Sequence, residues 1–207
     1  MMRTVFLKSL NFTVNPESVL KRMGVRTRQE EWLGIVSRIC DEYLSHIRPR
    51  GIYREALCLP NGRTIDIGES LSLESSFLRN HLPKSKKAAI FLVTIGPELE
   101  ESIRKEIDNG RTRKAYILDC LGSNAAESAA AVTHRVVQEK FKLSMRRYSP
   151  GYNDWDISQQ EILFEFLGRE NAREVGVGLT PDFMMAPRKS VSGIILPRTE
   201  SKQHGPT

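Results

Sequence analysis

Of 207 residues only three are cysteine, at 40, 58 and 120, and only four are histidine. The cysteines lie far apart, each among apolar neighbours, so they read as reduced, packed thiols rather than a disulfide framework or a metal site. His46, His81, His134 and His204 form no pair at ligand spacing, and no Ser-His-Asp or Cys-His arrangement stands out. A metal centre and acyl-transfer chemistry are both disfavoured. No run approaches the roughly 18 apolar residues that a membrane helix needs. Lys8 interrupts the short apolar opening, and no small-residue cleavage site follows, so neither a span nor a leader is expected. Phosphate loops are missing too: Gly96 stands between a strand pattern and a helix pattern with no GxGxxG or GxxxxGK around it. These absences point to a cytoplasmic protein with no membrane attachment.

The net charge is +6 and the pI about 9.3. A basic balance suits nucleic acid, but the Lys and Arg residues are scattered, acids are interleaved, and no basic–aromatic repeat is present. Nucleic acid is therefore not expected; a basic face serves an acidic protein equally well. The length suits one domain, over residues 1–197, with a core large enough to need no staples. Residues 198–207 are polar, with Pro and Gly, and read as a disordered tail.

Strand and helix periodicities are both present along the chain, and the expected class is α+β: a central antiparallel or mixed twisted sheet with helices gathered around it. Asn15-Pro16-Glu17 opens a short helix, and Arg26 to Arg48 carries a longer one with Trp32, Val36, Ile39 and Tyr43 on one face. Pro49-Arg50-Gly51 ends it. Arg54–Leu59 and Thr64–Ile67 alternate about Pro60-Asn61-Gly62-Arg63, a hairpin signal. Leu71 to Leu82 reads as a short amphipathic helix. Ala88 to Ile95 is nearly continuous apolar sequence, as a strand buried on both faces requires. Glu98–Asp108 is an acid-first helix stopped by Asn109-Gly110. Arg113 to Lys142 is the longest helical pattern, with a surface of Ala115, Gly122, Ala125, Ala126, Ala129 and Ala130 that allows close approach. Glu127 sits amid these small residues, either solvated on the far face or turned into a site. Val175–Leu179 and Ser190–Leu196 supply the last strand candidates.

Chemistry-bearing residues concentrate between Met145 and Gly168. Leu143, Met145 and Arg147 alternate as in a half-buried strand, and Pro150-Gly151 makes a turn. Ser158 with Glu161 fits a capping box before a helix through Phe166 and Leu167 that Gly168 stops. Between strand and helix, Arg147, Tyr148, Tyr152, Asp154, Trp155 and Asp156 crowd one loop. Such a loop either binds something or uses its aromatics to cover the core.

Arg147-Tyr148-Ser149-Pro150-Gly151-Tyr152 resembles the Arg-x-x-Pro-Gly-Tyr motif of the reactivation domain of cobalamin-dependent methionine synthase. Leu179-Thr180 through Met185-Ala186-Pro187-Arg188-Lys189-Ser190-Val191-Ser192-Gly193 is similar to that family's Leu-Thr…Met-x-Pro-x-x-Ser-Val-Ser-Gly signature, and Ala125-Ala126-Glu127 is a weaker third match. About the last hundred residues carry the likeness. It implies the same α+β fold and binding of S-adenosylmethionine by Glu127, Arg147, Ser149, Pro150, Gly151, Tyr152, Ser190, Ser192 and Gly193. In that reading Arg147 forks the carboxylate and Glu127 faces the ammonium or sulfonium. It also implies a separate subunit, docking on a corrinoid methyltransferase whose oxidised cob(II)alamin is remethylated with an electron from a flavodoxin-like or ferredoxin-like donor. None of the histidines lies in the Asp-x-His-x-x-Gly pattern that ligates cobalt in many corrinoid proteins, so cobalamin is expected to be met only through a partner. Tyr152 and Trp155 are the expected interface aromatics. The alternative is a ligand-free module that caps a corrinoid protein. The chain departs from the family at Ile195, where an aromatic is expected, and at Asn153-Asp154-Trp155-Asp156, which replace Cys-Pro-Asp-His. The family's acidic contact at the N-terminal end has no counterpart.

Overall fold

The computed structural model describes residues 3–8, 10–68, 70–82 and 85–198. In chain order these form β1 (Thr4–Leu7), α1 (Pro16–Arg22), α2 (Gln29–Tyr43), β2 (Arg50–Asn61), β3 (Thr64–Ile67), β4 (Leu71–Glu74), α3 (Ser76–Asn80), β5 (Lys87–Thr94), α4 (Glu98–Asp108) and α5 (Thr112–Phe141). Then follow β6 (Met145–Tyr148), α6 (Gln160–Leu167), α7 (Arg169–Glu174), β7 (Gly178–Leu179), β8 (Met185–Ala186) and β9 (Ser190–Pro197). The main sheet runs β4-β3-β2-β5-β9-β6, with β1 also on β2, and every pairing is antiparallel. The expected α+β class is what the chain adopts.

β5 lies in the middle and is buried from Ala88 to Thr94. Its side chains alternate between two cores. Ile90 and Leu92 join Ile52, Ile194, Leu163 and Phe164 beneath α6 and α7. Ala89, Phe91 and Val93 join Tyr53, Ile195, Ala129 and Ala130 beneath α5. A third core sits beyond α5, where Ile117, Leu121 and Ala125 meet Val19, Val36, Cys40 and Leu99 from α1, α2 and α4. One helix therefore faces the sheet and three other helices at once, which explains its small-residue surface: a Cβ on Gly122 would stand 3.0 Å from Leu99 and 3.1 Å from Lys189.

Several local expectations are corrected. Leu71 to Leu82 is not one helix. Leu71–Glu74 pairs with β3, and Ser75 caps α3, its side chain accepting from Leu78 N at 3.0 Å. Leu71 and Leu73 fit a strand, Leu71 and Leu78 fit a helix, and the pairing with β3 decides for strand over Leu71–Glu74. The longer helix stops at Tyr43, ahead of Pro49-Arg50-Gly51, and Arg50 and Gly51 already pair with Thr94 and Val93. The Ser158 capping box does not form: Asp156 caps a 3-10 turn at Ile157–Gln159 by accepting from Ser158 N at 2.8 Å, while Glu161 pairs with Arg169. Val175 follows α7 directly, leaving only Gly178–Leu179 as strand. The tail read at 198–207, apart from Arg198, lies outside the described residues, as does His204. All three cysteines are free and buried, as their neighbours suggested.

Gly51 sits where β2 crosses between β1 and β5. A Cβ there would meet the Leu92 carbonyl oxygen and Val93 Cγ1, each at 2.6 Å. Gly51→Ala should thus destabilise the fold by about 1–3 kcal/mol, the usual cost of forcing volume into a filled site. Urea unfolding midpoints test this, and an unchanged midpoint would mean that the strands part freely here.

Candidate functional site

The site begins at the sheet's end. β6 is an edge strand whose one strand partner among the described residues is β9, with Tyr148 opposite Ile194 and Arg147 opposite Ile195. Gly193 in β9 lies so close beneath it that a Cβ would collide with the Tyr148 carbonyl oxygen and stand 3.0 Å from Ser149 Oγ. Beyond Tyr148 the chain turns: Gly151 at φ +87° donates its N–H to the Trp155 carbonyl at 2.7 Å, and Asn153 takes φ +57°. Asp154 reaches across to α3, accepting from Ser75 Oγ at 2.7 Å, Ser76 N at 2.8 Å and Phe77 N at 3.1 Å. The turn and α3 thus form one unit.

Two open clefts, each of about 340 Å³, flank this unit and share Glu127, Ser149 and Tyr152. The first also has Phe77, Arg147, Tyr148, Asn153 and Trp155 on its walls. The second is also lined by Pro150, Gln160, Ser190, Ser192, Met184, Met185 and the cations Arg22, Arg188 and Lys189. Glu127 does face the site, half-exposed, and its Oε2 accepts from Arg147 Nη2 at 2.6 Å. Arg147 is mostly buried, and its Nη1 has no acceptor among the described residues.

The other expected contacts divide in their possibilities. Ser149 and Tyr152 border both clefts, Tyr152 at 70% exposure. Pro150 is buried on the wall of the second. Gly151 and Gly193 shape the backbone. The hydroxyls of Ser190 and Ser192 are already bonded within the protein, donating to the Pro187 carbonyl and to Gln160 Oε1, each at 2.7 Å. Trp155 corrects the expectation of an exposed interface residue: it is 2% exposed and belongs to the core beneath α6.

Three contributors escape a reading by motif. Gln160, 2% exposed, ties α6 to β9 through Ser192 and donates to the Phe183 carbonyl at 2.7 Å; a buried amide at a helix start is its only signal. Lys189 docks the loop before β9 onto α5, its Nζ 2.7 Å from Asp119 Oδ1 and 2.9 Å from Ser123 Oγ. Phe77 reaches the first cleft from α3, hidden in a segment read as an ordinary amphipathic helix.

Electrostatics tune the same region. Burial holds the His134 imidazole on α5 below its ordinary value, and the charges of Arg147 and Arg198 push the same way, against a backbone hydrogen bond with Met145. The Asp154 carboxyl is lowered by its bond from Ser75 and by the amides of Phe77 and Ser76. Asp156 is lowered by Ser158. Burial pushes the Cys40 thiol up to about 11 and the Cys58 thiol up to about 12. Among the described residues no group of His, Cys, Asp and Glu is arranged to hold a metal ion, and no helix is long and apolar enough to cross a membrane.

An antiparallel sheet with a motif-bearing turn at its edge strand is one fold among many until sequence likeness is added. The profile of the family described as vitamin B12 dependent methionine synthase, activation domain, matches residues 70–205, and the chain belongs to that family. The structure matches the crystal structure of the MetH reactivation domain bound to AdoHcy with a TM-score of 0.71, at 15% identity, over 99% of this chain and 81% of that one. At that identity the likeness is one of fold. No curated protein matches in sequence.

The lowered groups predict how stability depends on pH. For His134 the folded pKa lies below the ordinary 6.5, so its contribution is complete above that value and is lost as pH falls below it. For Asp154 and Asp156 the contribution is complete above 3.8 and is lost as pH falls beneath it. Thermal unfolding along an acid titration should descend in two stages, with the upper stage absent in His134→Gln and the lower reduced in Asp154→Asn. A wild-type upper stage retained in His134→Gln would refute the assignment.

Proposed function

We propose that this chain binds S-adenosylmethionine at the Arg147–Glu127 cleft and docks on a corrinoid-carrying methyltransferase to remethylate its oxidised cobalamin. The observation that carries this reading is Arg147. It lies in the family's motif, on the cleft wall, with a buried donor nitrogen that lacks an acceptor. Such a donor is costly to leave unpaired, and a carboxylate fits a guanidinium fork. Glu127 stands beside it with the opposite charge, so a zwitterion finds both partners within one cleft.

When bound, the sulfonium would supply a methyl group and leave as a neutral thioether, so no acid or base is demanded of the protein; one electron from a flavodoxin-like or ferredoxin-like donor would be needed first for cob(II)alamin to become methylcobalamin. The residues of this chain then have two tasks: to orient the ligand, through Arg147, Glu127 and the Ser149–Tyr152 turn, and to exclude water around it. Tyr152, exposed, amphipathic and lining both clefts, supports a contact with the corrinoid partner. The cytoplasm is the compartment we infer, from buried free thiols. A second reading, a capping module without ligand, is favoured by the preformed Arg147–Glu127 pair and by the bonded hydroxyls of Ser190 and Ser192.

Calorimetry separates the two. Arg147→Ala should weaken S-adenosylmethionine binding by about 1.5–3 kcal/mol, the range for a charge-assisted hydrogen bond. A wild-type chain that takes up no ligand, with or without a corrinoid partner, would leave the capping module. Tyr152→Ala should slow reactivation more than it lowers ligand affinity; equal losses would place the ring in the ligand site instead.

A further inference from the structure

Resting on the reading above, we propose that Phe77 of α3 forms the base-contacting wall of the cleft and that Asp154 is the positioning residue that sets it there. The two clefts differ in chemistry. Beside the shared Tyr152, the apolar lining of the second includes Ile157, Met184 and Met185, and the cations Arg22, Arg188 and Lys189 line it too. Lys189 is already paired with Asp119, but Arg22 and Arg188 disfavour there a ligand with a sulfonium and an ammonium against one carboxylate. The first cleft has Arg147 as the one cation in its lining, and to the shared Tyr152 it adds Phe77 and Tyr148. A planar base gains most against aromatic surface.

Phe77 is fixed within that wall. Its ring stands edge-on to Tyr148, with centroids 5.6 Å apart, and tilted on His81 at 4.3 Å. Its backbone N–H donates to Asp154, which also holds Ser75 and Ser76. The carboxylate therefore locks the start of α3 against the motif turn, and the amino-acid end of the ligand is left to Arg147 and Glu127. Trp155 adds a buried Nε1 without an acceptor among the described residues, at the same aromatic end.

Half-ligands test the assignment. 5′-Methylthioadenosine carries the base without the amino acid; S-methylmethionine carries the sulfonium zwitterion without the base. Measured by NMR titration and calorimetry, Phe77→Leu should weaken S-adenosylmethionine and methylthioadenosine about tenfold, in line with the loss of one stacked base, while S-methylmethionine changes little. Arg147→Ala should give the reverse pattern, which no general folding defect can mimic. Asp154→Ala should act like Phe77→Leu, and Asp154→Asn, which keeps an acceptor oxygen, should restore part of the loss. Methylthioadenosine binding unchanged by Phe77→Leu, with intact S-adenosylmethionine binding that still depends on Arg147, overturns this inference alone. Failure of the wild type to bind any of the three overturns the ligand reading and this inference with it.

Discussion

The contact on which the site depends is the meeting of Gly193 with the carbonyl of Tyr148. β6 is four residues long, lies at the sheet edge and has a single partner strand among the described residues. A short edge strand is weakly held, and a side chain at position 193 would push it off β9. With glycine there, the backbones close together and Arg147 is delivered onto the side of α5 that carries Glu127. The turn that follows inherits its position from this contact, and through Asp154 so does α3. Two signature motifs far apart in sequence thus meet at one point, one providing the glycine and the other the strand above it.

The helix opposite imposes the second constraint. α5 serves the sheet and the outer helices together, and alanine and glycine on both flanks let it come near enough. The cost is little apolar area per residue, offset by length, since α5 spans 30 residues. Glu127 is the charged exception among these small residues, and it lines both clefts.

Much of this was legible. The run from Ala88 to Ile95 identified the central strand because burial on both faces removes polar alternation. Glu98–Asp108 was readable to the residue, since acids at its start and Asn109-Gly110 at its end are local signals. What failed was decided at a distance. Leu71–Glu74 becomes strand only because β3 offers it an edge. Ser158 loses its cap to Asp156, two residues earlier, which accepts from the Ser158 amide. Trp155 could be placed inside or outside only once α6 is known to fold over it. Arg147 and Glu127, which line the first cleft, lie in segments that the motifs single out. Phe77, Gln160 and Lys189 line the clefts without such a signal, because their positions rest on bonds to Asp154, Ser192 and Asp119, which no spacing rule connects.

The buried thiols have a consequence for a protein that would hold an alkylating agent. A sulfonium methyl group reacts with whichever nucleophile reaches it, and the thiolate is the strongest that a protein commonly offers. Cys120 lies on α5, the helix that carries Glu127, yet it is 4% exposed and burial raises its pKa. Cys40 and Cys58 are buried deeper in their titration, at about 11 and about 12. At neutral pH all three are inaccessible and protonated, so a reactive donor in the cleft meets no competing sulfur nucleophile from cysteine. Packing that stabilises the fold would also guard the chain against methylating itself.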